Sequence, residues 1–240
     1  MRYILLFIIA ICGFSCATKQ ITKDDSYYYQ EGMKMTQKKL YQDAASSFAE
    51  VGRGKFFIKA KIMEAYAYYK SKLYNDAIAK IEIVKNLASK TTKQQKLYLN
   101  YLEGMSYYRQ LAHYKASQGN AKLAFDNFQN IIDDPQGKKW HGDSKKRLKI
   151  IKDRISKNYI YLGRYYMETE KFIPAINAFN IAANNVYSQT RRAEALYRLA
   201  EIYYHLGVDR KTKQLLNIID AEYSTDNKWR KYSKKLRMSL

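Results

Sequence analysis

The apolar positions of this chain fall into a pattern that recurs along its length. Gly32, Ala65, Gly104, Gly163 and Ala200 are small residues, each set in a tyrosine-rich segment of helical period. Three residues on from each stand Met35, Tyr68, Tyr107, Tyr166 and Tyr203, and twelve on stand Ala44, Ala77, Ala175 and Thr212. Phe48, Ile81, Phe179 and Leu216 come four later, and Val51, Val84, Ala182 and Ile219 three later again. One unit fits after an insertion of eight residues, which puts Ala124, Phe128 and Ile131 in the same three slots. Spacings of three, four and seven place such side chains on one face of a helix. Each unit therefore predicts two helices, with a small residue on the first facing a large one on the second.

This arrangement resembles the tetratricopeptide repeat, in which small residues let two helices approach and aromatic residues fill the space between neighbouring hairpins. A single hairpin has no core of its own and buries its face against the next. The predicted fold is therefore all-α, an α-solenoid of five such helix pairs. Loops are expected near 52–57, 88–94, 133–143, 186–190 and 221–227. The Pro- and Gly-containing segment 133–143 divides repeats 1–3 (28–134) from repeats 4–5 (135–240). A long helix is expected over 144–167. Residues 226–240 read as a basic helix that either caps the array or frays. With only 2 Pro and 10 Gly in 240 residues, little interrupts helix formation.

The N-terminus has a different pattern. Arg2 precedes an apolar run from Tyr3 to Ile11, too short to span a bilayer as a mature helix. Gly13, Phe14, Ser15 and Cys16 follow. Ser15-Cys16 resembles the lipobox of bacterial lipoproteins, with Gly13 where that motif usually has Leu. The resemblance implies a signal peptide over 1–15, lipidation at Cys16, and a polar tether over 16–27. Cys12 would leave with the signal, so Cys16 would be the one remaining thiol and could form no internal disulfide. Acyl chains there would anchor the protein firmly, at about 0.8 kcal/mol per buried methylene. The alternative is an ordinary secretory peptide with an incidental cysteine. Ala17, where an Asp would signal inner-membrane retention, favours the outer membrane, facing the periplasm.

The formal net charge is +21, and +20 once Arg2 is removed. A periplasmic address argues against nucleic acid as the reason. Three readings remain: a surface habit of using Lys, attraction to anionic lipid headgroups, or acidic partner surfaces. His113, His141 and His205 are far apart and lack metal-ligand spacing. Asp133-Asp134 beside Pro135 reads as turn chemistry. No catalytic motif is present, so neither an enzyme nor a cofactor is expected.

Binding is the remaining class. Repeat arrays of this kind usually bind on the concave face, lined by the first helix of each pair. Those slots hold Tyr29 and Met33 in repeat 1. Repeat 2 offers Tyr66, Tyr69 and Lys70, with Ile62. Repeat 3 offers Tyr98, Tyr101, Met105, Tyr108 and Arg109. Tyrosine gives contact area at low entropic cost, and Lys70 or Arg109 can meet a carboxylate. An extended peptide ending in an aromatic residue and a free carboxylate suits such a groove. About half of these tyrosines would instead serve helix packing.

The stretches "AYAYYKSKLYNDAIAKIE" (65–82), "YLNYLEGMSYYRQ" (98–110), "AKLAFDNFQNIID" (121–133) and "RLKIIKDRISKNYIYLGRYYM" (147–167), in that order, resemble the BamD (YfiO/ComL) family of outer-membrane assembly lipoproteins. The resemblance covers roughly residues 26–220. It implies two partners. Unfolded outer-membrane proteins would present their C-terminal targeting strand to the N-terminal repeats. A barrel subunit carrying POTRA domains would meet the C-terminal repeats, around Arg164, Asn177, Tyr197 and Arg198. Family members often have Arg after the position of Asn177, where this chain has Ala178. Accessory lipoproteins are possible further partners. The alternative is another periplasmic scaffold of the same repeat type, serving pilus biogenesis or cell-envelope coordination.

Overall fold

The computed structural model describes residues 23–184 and 188–240. The expected signal peptide and Cys16 lie outside them. The chain forms α1 (Asp25–Gln37), α2 (Tyr41–Ala49), α3 (Phe57–Lys70), α4 (Tyr74–Lys85), α5 (Lys93–Arg109), α6 (Gly119–Asp133), α7 (Lys138–Glu168), α8 (Phe172–Ala183), α9 (Gln189–His205), α10 (Asp209–Glu222) and α11 (Lys228–Arg237). Successive helices pack in order, each pair against the next. This is the expected all-α solenoid of five helix pairs, with α11 added at the end.

Within each pair, the small and large positions face each other and their sizes are matched. A Cβ added at Gly32 would come within 2.6 Å of the Phe48 ring, and one at Gly163 within 2.6 Å of Phe179. At Gly104 the nearest Phe128 ring atom would be 3.1 Å away. Where the small residue is alanine, the opposing residue shrinks: Ala65 is matched by Ile81 and Ala200 by Leu216, all four fully buried. Three glycines face phenylalanines and two alanines face aliphatics, so the pairs reach similar total volume by two routes.

The turn inside four of the pairs is also one device repeated. Lys39, Lys72, Glu170 and Gly207 have φ of 61°, 65°, 57° and 69°, and all four stand seven residues after the small position. The next residue's N–H reaches back five positions in the chain: Leu40 to Met35, Leu73 to Tyr68, Lys171 to Tyr166 and Val208 to Tyr203, at 2.8–3.0 Å. This is the Schellman ending, which satisfies helix-terminal carbonyls and reverses the chain into the next helix. The insertion in repeat 3 replaces it. There Asn158 on α7 donates to the Tyr114 carbonyl at 2.6 Å, and Arg154 donates to that of Ala112.

Segment 133–143 differs from its expected loop. Asp134 accepts from the Gln136 N–H at 2.9 Å, a single 3₁₀ turn covers Pro135–Gly137, and α7 begins at Lys138. A Cβ at Gly137 would sit 2.4 Å from the Ile131 carbonyl, so glycine permits the close passage. His141 Nε2 lies 2.9 Å from that carbonyl and 3.1 Å from that of Asp134. These contacts cap α6 and start α7 six residues before the expected 144. The core runs across the junction, through Phe128, Ile131, Leu148, Ile151 and Ile155.

Both ends of the described residues carry a capped helix. Asp24 caps α1 by accepting from Tyr27 N–H at 2.8 Å, so helix starts inside the expected tether. Asn227 caps α11 by accepting from Trp229 N–H at 2.9 Å. Leu236 and Leu240 pack against the last core cluster. Of the two roles open to the C-terminal helix, the structure shows the cap. Among the described residues, no helix is long and apolar enough to cross a membrane.

Candidate peptide groove and C-terminal cleft

The groove residues expected from the sequence separate into two groups. Tyr29 stacks on Phe56 (5.2 Å between centroids) and tilts against Phe48 at 5.8 Å. With Met33 it lines the first core cluster. Met105 is 5% exposed and belongs to the core between α5, α6 and α7. These three hold helices together. Tyr66 meets the edge of Tyr41 at 6.3 Å. Exposed Lys70 places its ammonium 5.5 Å from the centre of the same Tyr41 ring.

Tyr69, Tyr98, Tyr101, Tyr108 and Arg109 converge instead on a surface that α7 completes. Trp140 lies 6.1 Å from Tyr98 and is stacked at 6.0 Å on Tyr101. The Tyr101 hydroxyl donates to Asp143 Oδ2 at 2.8 Å. Arg147 Nε donates to the same oxygen at 2.7 Å, and a second guanidinium nitrogen reaches Oδ1 at 3.1 Å. The Arg147 guanidinium also covers the Tyr108 ring at 4.7 Å. Arg109 lies beside Tyr69, whose hydroxyl favours its charged form. Among the described residues Arg109 has no carboxylate partner, so its charge is available at the surface.

The protonation states follow from this packing. Burial, then the Asp143 carboxylate, pushes the Tyr101 hydroxyl up to about 12. Burial also pushes Tyr98 up. Burial alone would raise Asp143, but hydrogen bonds from Arg147 and Tyr101 outweigh it and leave the carboxyl below its usual range. Asp143 is therefore an ionised anchor, and Tyr101 remains a neutral donor.

Trp140, Asp143 and Arg147 were not expected at the site. Their spacing of three and seven puts them on one helix face, but the first two fall in the segment read as a loop. One of the chain's two tryptophans was the signal that could have drawn attention there.

The second tryptophan marks a similar arrangement at the other end. Tyr197 lies 5.5 Å from Trp229 and 5.6 Å from Tyr232, both on α11. The Arg198 guanidinium is 5.5 Å from the Trp229 ring centre and donates to Glu201 at 2.7 Å. Arg164 pairs with Glu194. All of these but Glu194, with Lys228, line an open cleft of about 300 Å³. Burial, then Glu201, pushes Tyr197 up to about 12. Arg164, Tyr197 and Arg198 are thus brought together, while Asn177 stands exposed on α8 outside the cleft lining. Among the described residues no group of His, Cys, Asp and Glu is arranged to hold a metal.

The fold is a helical-repeat solenoid that carries two aromatic–arginine surfaces. The family model described as YfiO, outer membrane lipoprotein, matches residues 21–217, and the chain belongs to that family. A Rickettsia prowazekii protein named outer membrane protein assembly factor BamD is 26% identical over 239 residues, covering 96% of this chain and 94% of its own. Proteins of the same name from Caulobacter vibrioides (21% identical, 78% of this chain and 62% of the relative) and Xylella fastidiosa Temecula1 (23%, 99% and 88%) are also similar.

Proposed function

We propose that this chain is a lipid-anchored subunit of an outer-membrane protein assembly machine, not an enzyme, held through Cys16 to the periplasmic face of the outer membrane. The relatives' shared name supports the assembly role. One observation carries the mechanism: Arg109, without a carboxylate of its own, borders the tyrosine–tryptophan surface built by α3, α5 and α7. An extended targeting strand ending in an aromatic residue would lay its ring against Trp140 and Tyr101, and its terminal carboxylate would meet Arg109 or Lys70. Asp143, held by Arg147, keeps Tyr101 oriented to receive it. The C-terminal cleft around Arg164, Tyr197 and Arg198 would hold the POTRA-bearing barrel subunit, with exposed Asn177 on α8 as a separate candidate contact. Accessory lipoproteins are further partners of this assembly.

The test is a mild-detergent pull-down of the tagged protein together with peptide binding. A stoichiometric barrel protein with POTRA domains is expected. Pilus or cell-wall proteins in its place would transfer the chain to another envelope scaffold. Tyr101→Ala with Tyr108→Ala should weaken binding of an aromatic-ended peptide. Unchanged affinity in a folded variant would remove the groove from the mechanism.

A further inference from the structure

A third surface lies outside both sites. Phe57 and Ile58 on α3, with Ile83 on α4 and Leu87 just beyond its end, wall an apolar cleft of about 350 Å³. Arg53, Gly54, Asn86 and Lys90 form the rest of its lining. Its volume is at the low end of the range for small-molecule sites. Ile83 is 38% exposed although apolar, so the wall is open to an occupant. Arg53 and Lys90 are both exposed, and neither has an ion-pair partner among the described residues. An apolar trough with two cations beside it matches an amphiphile that has a hydrocarbon chain and an anionic head.

The cleft is also tied to the start of the fold. Gly52 N–H donates to Asp25 Oδ1 at 2.8 Å, and a Cβ on Gly54 would lie 2.9 Å from Asp25 Oδ2. The loop carrying Arg53 therefore sits against the first turn of α1. Asp24 comes eight positions after Cys16, a reach of at most about 27 Å when extended. With Cys16 acylated, this end of the solenoid is kept beside the bilayer. That step rests on the anchor proposed above.

We infer that the α3–α4 cleft binds an anionic phospholipid, with one acyl chain along Phe57, Ile58, Ile83 and Leu87 and the headgroup phosphate between Arg53 and Lys90. The lipid would be drawn from the bilayer that holds the anchor, adding a second, reversible attachment.

The experiment uses the protein as purified from membranes, placed in nanodiscs of equal parts phosphatidylcholine and phosphatidylglycerol. The phosphatidylglycerol carries a photoactivatable acyl chain, and labelled residues are mapped by mass spectrometry. Label is expected on Phe57, Ile58, Ile83 or Leu87. It should fall at least tenfold in R53E/K90E and also in Ile83→Trp, which fills the cleft without changing charge. K234E/K235E on α11 should leave it within twofold. Equal loss in both double variants, or label scattered over the surface, would overturn the inference in favour of general basic attraction. Loss of label to millimolar inorganic phosphate would overturn the lipid assignment in favour of a simple anion site. The mass of the Cys16 peptide reports acylation separately. An unmodified cysteine with the cleft still labelled would remove the anchor alone.

Discussion

The peptide groove and the C-terminal cleft use the same parts. In each, a tyrosine from the first helix of a repeat lies against a tryptophan from a later helix, with an arginine over an aromatic ring and a carboxylate beside it. They differ in what supports the tryptophan and in how the charges are spent. Trp140 packs against the central core cluster, whereas Trp229 sits on the terminal helix. At the cleft, Arg164 and Arg198 each hold a carboxylate of the same chain. At the groove Arg147 does so, and Arg109 has no carboxylate partner among the described residues. The proposed groove thus keeps a positive charge that its own carboxylates do not neutralise. The partner proposed for the cleft would have to exchange ion pairs already made, which favours a surface carrying charges of both signs.

The largest expected effect separates the two tryptophans. Trp140→Ala should lower global stability by about 3 kcal/mol, since it removes a large ring from the edge of a continuous core. Trp229→Ala should loosen α11 only, because a terminal helix can detach while the solenoid stays folded. Urea unfolding would show the first. Hydrogen exchange would show the second, as lost protection confined to 228–237. A global loss from Trp229→Ala would break the comparison by making α11 part of the main core.

Next is the size matching inside the pairs. Gly163→Ala drives a methyl against the Phe179 ring and should cost about 2 kcal/mol, in the range for overpacking. Adding Phe179→Leu reproduces the Ala200–Leu216 pair and should restore at least half of the loss. The same exchange at Gly32 and Phe48 should behave alike. Additive single effects would show that the matching is incidental.

This part of the molecule was readable in advance, and the reasons are local. The small–large spacing of sixteen follows from two helices and a fixed turn, so it is written at fixed intervals. The groove was only half readable. Tyr98, Tyr101 and Arg109 stand in slots that a repeat pattern predicts, and their partners Trp140 and Asp143 do not. Those two lie where Pro135, Gly137 and Gly142 suggest a loop. The helix begins there because Asp134, His141 and the tight passage at Gly137 satisfy the ends of two helices at once, and none of these contacts leaves a periodic signal. Met105 misled in the other direction. It occupies a groove slot by spacing, but the eight-residue insertion and long α7 cover it.

Charge accounting gives the third prediction. Arg109→Glu should weaken binding of an aromatic-ended peptide with a free carboxylate by at least tenfold, about 1.4 kcal/mol. Arg198→Glu should change it less than twofold, read by fluorescence anisotropy. Equal losses would mean that long-range charge, and not the groove, attracts the peptide.

Alkaline pH should affect both sites together. Tyr101 and Tyr197 are each raised to about 12 in the fold, above the ordinary value near 10. Their neutral forms favour the folded state. That contribution is complete below pH 10 and is lost as pH rises from 10 to 12. Both groups are partly exposed, so after allowing for solvent screening each contributes roughly 1 kcal/mol. Tyr101→Phe and Tyr197→Phe should each reduce the fall in melting temperature over this window. If only Tyr101→Phe does so, the cleft is wetter than the groove.

The smallest effects lie in the turns, where the two halves of the chain can be set against each other. Lys39, Lys72 and Glu170 adopt left-handed backbone that glycine adopts freely, and Gly207 fills the equivalent place in the last pair. The strain of a residue with a Cβ in that region is about 1–2 kcal/mol. Glycine also gives the unfolded chain more freedom, which offsets part of the gain. Lys72→Gly and Glu170→Gly should therefore stabilise by about 0.5 kcal/mol each, and Gly207→Lys should destabilise by a similar amount. None of these changes touches a buried contact, so peptide binding should remain constant while the urea midpoint moves. A midpoint shift confined to one half would show that the two halves unfold separately. A shared shift would show that the core crossing residues 134–137 joins them into one cooperative unit.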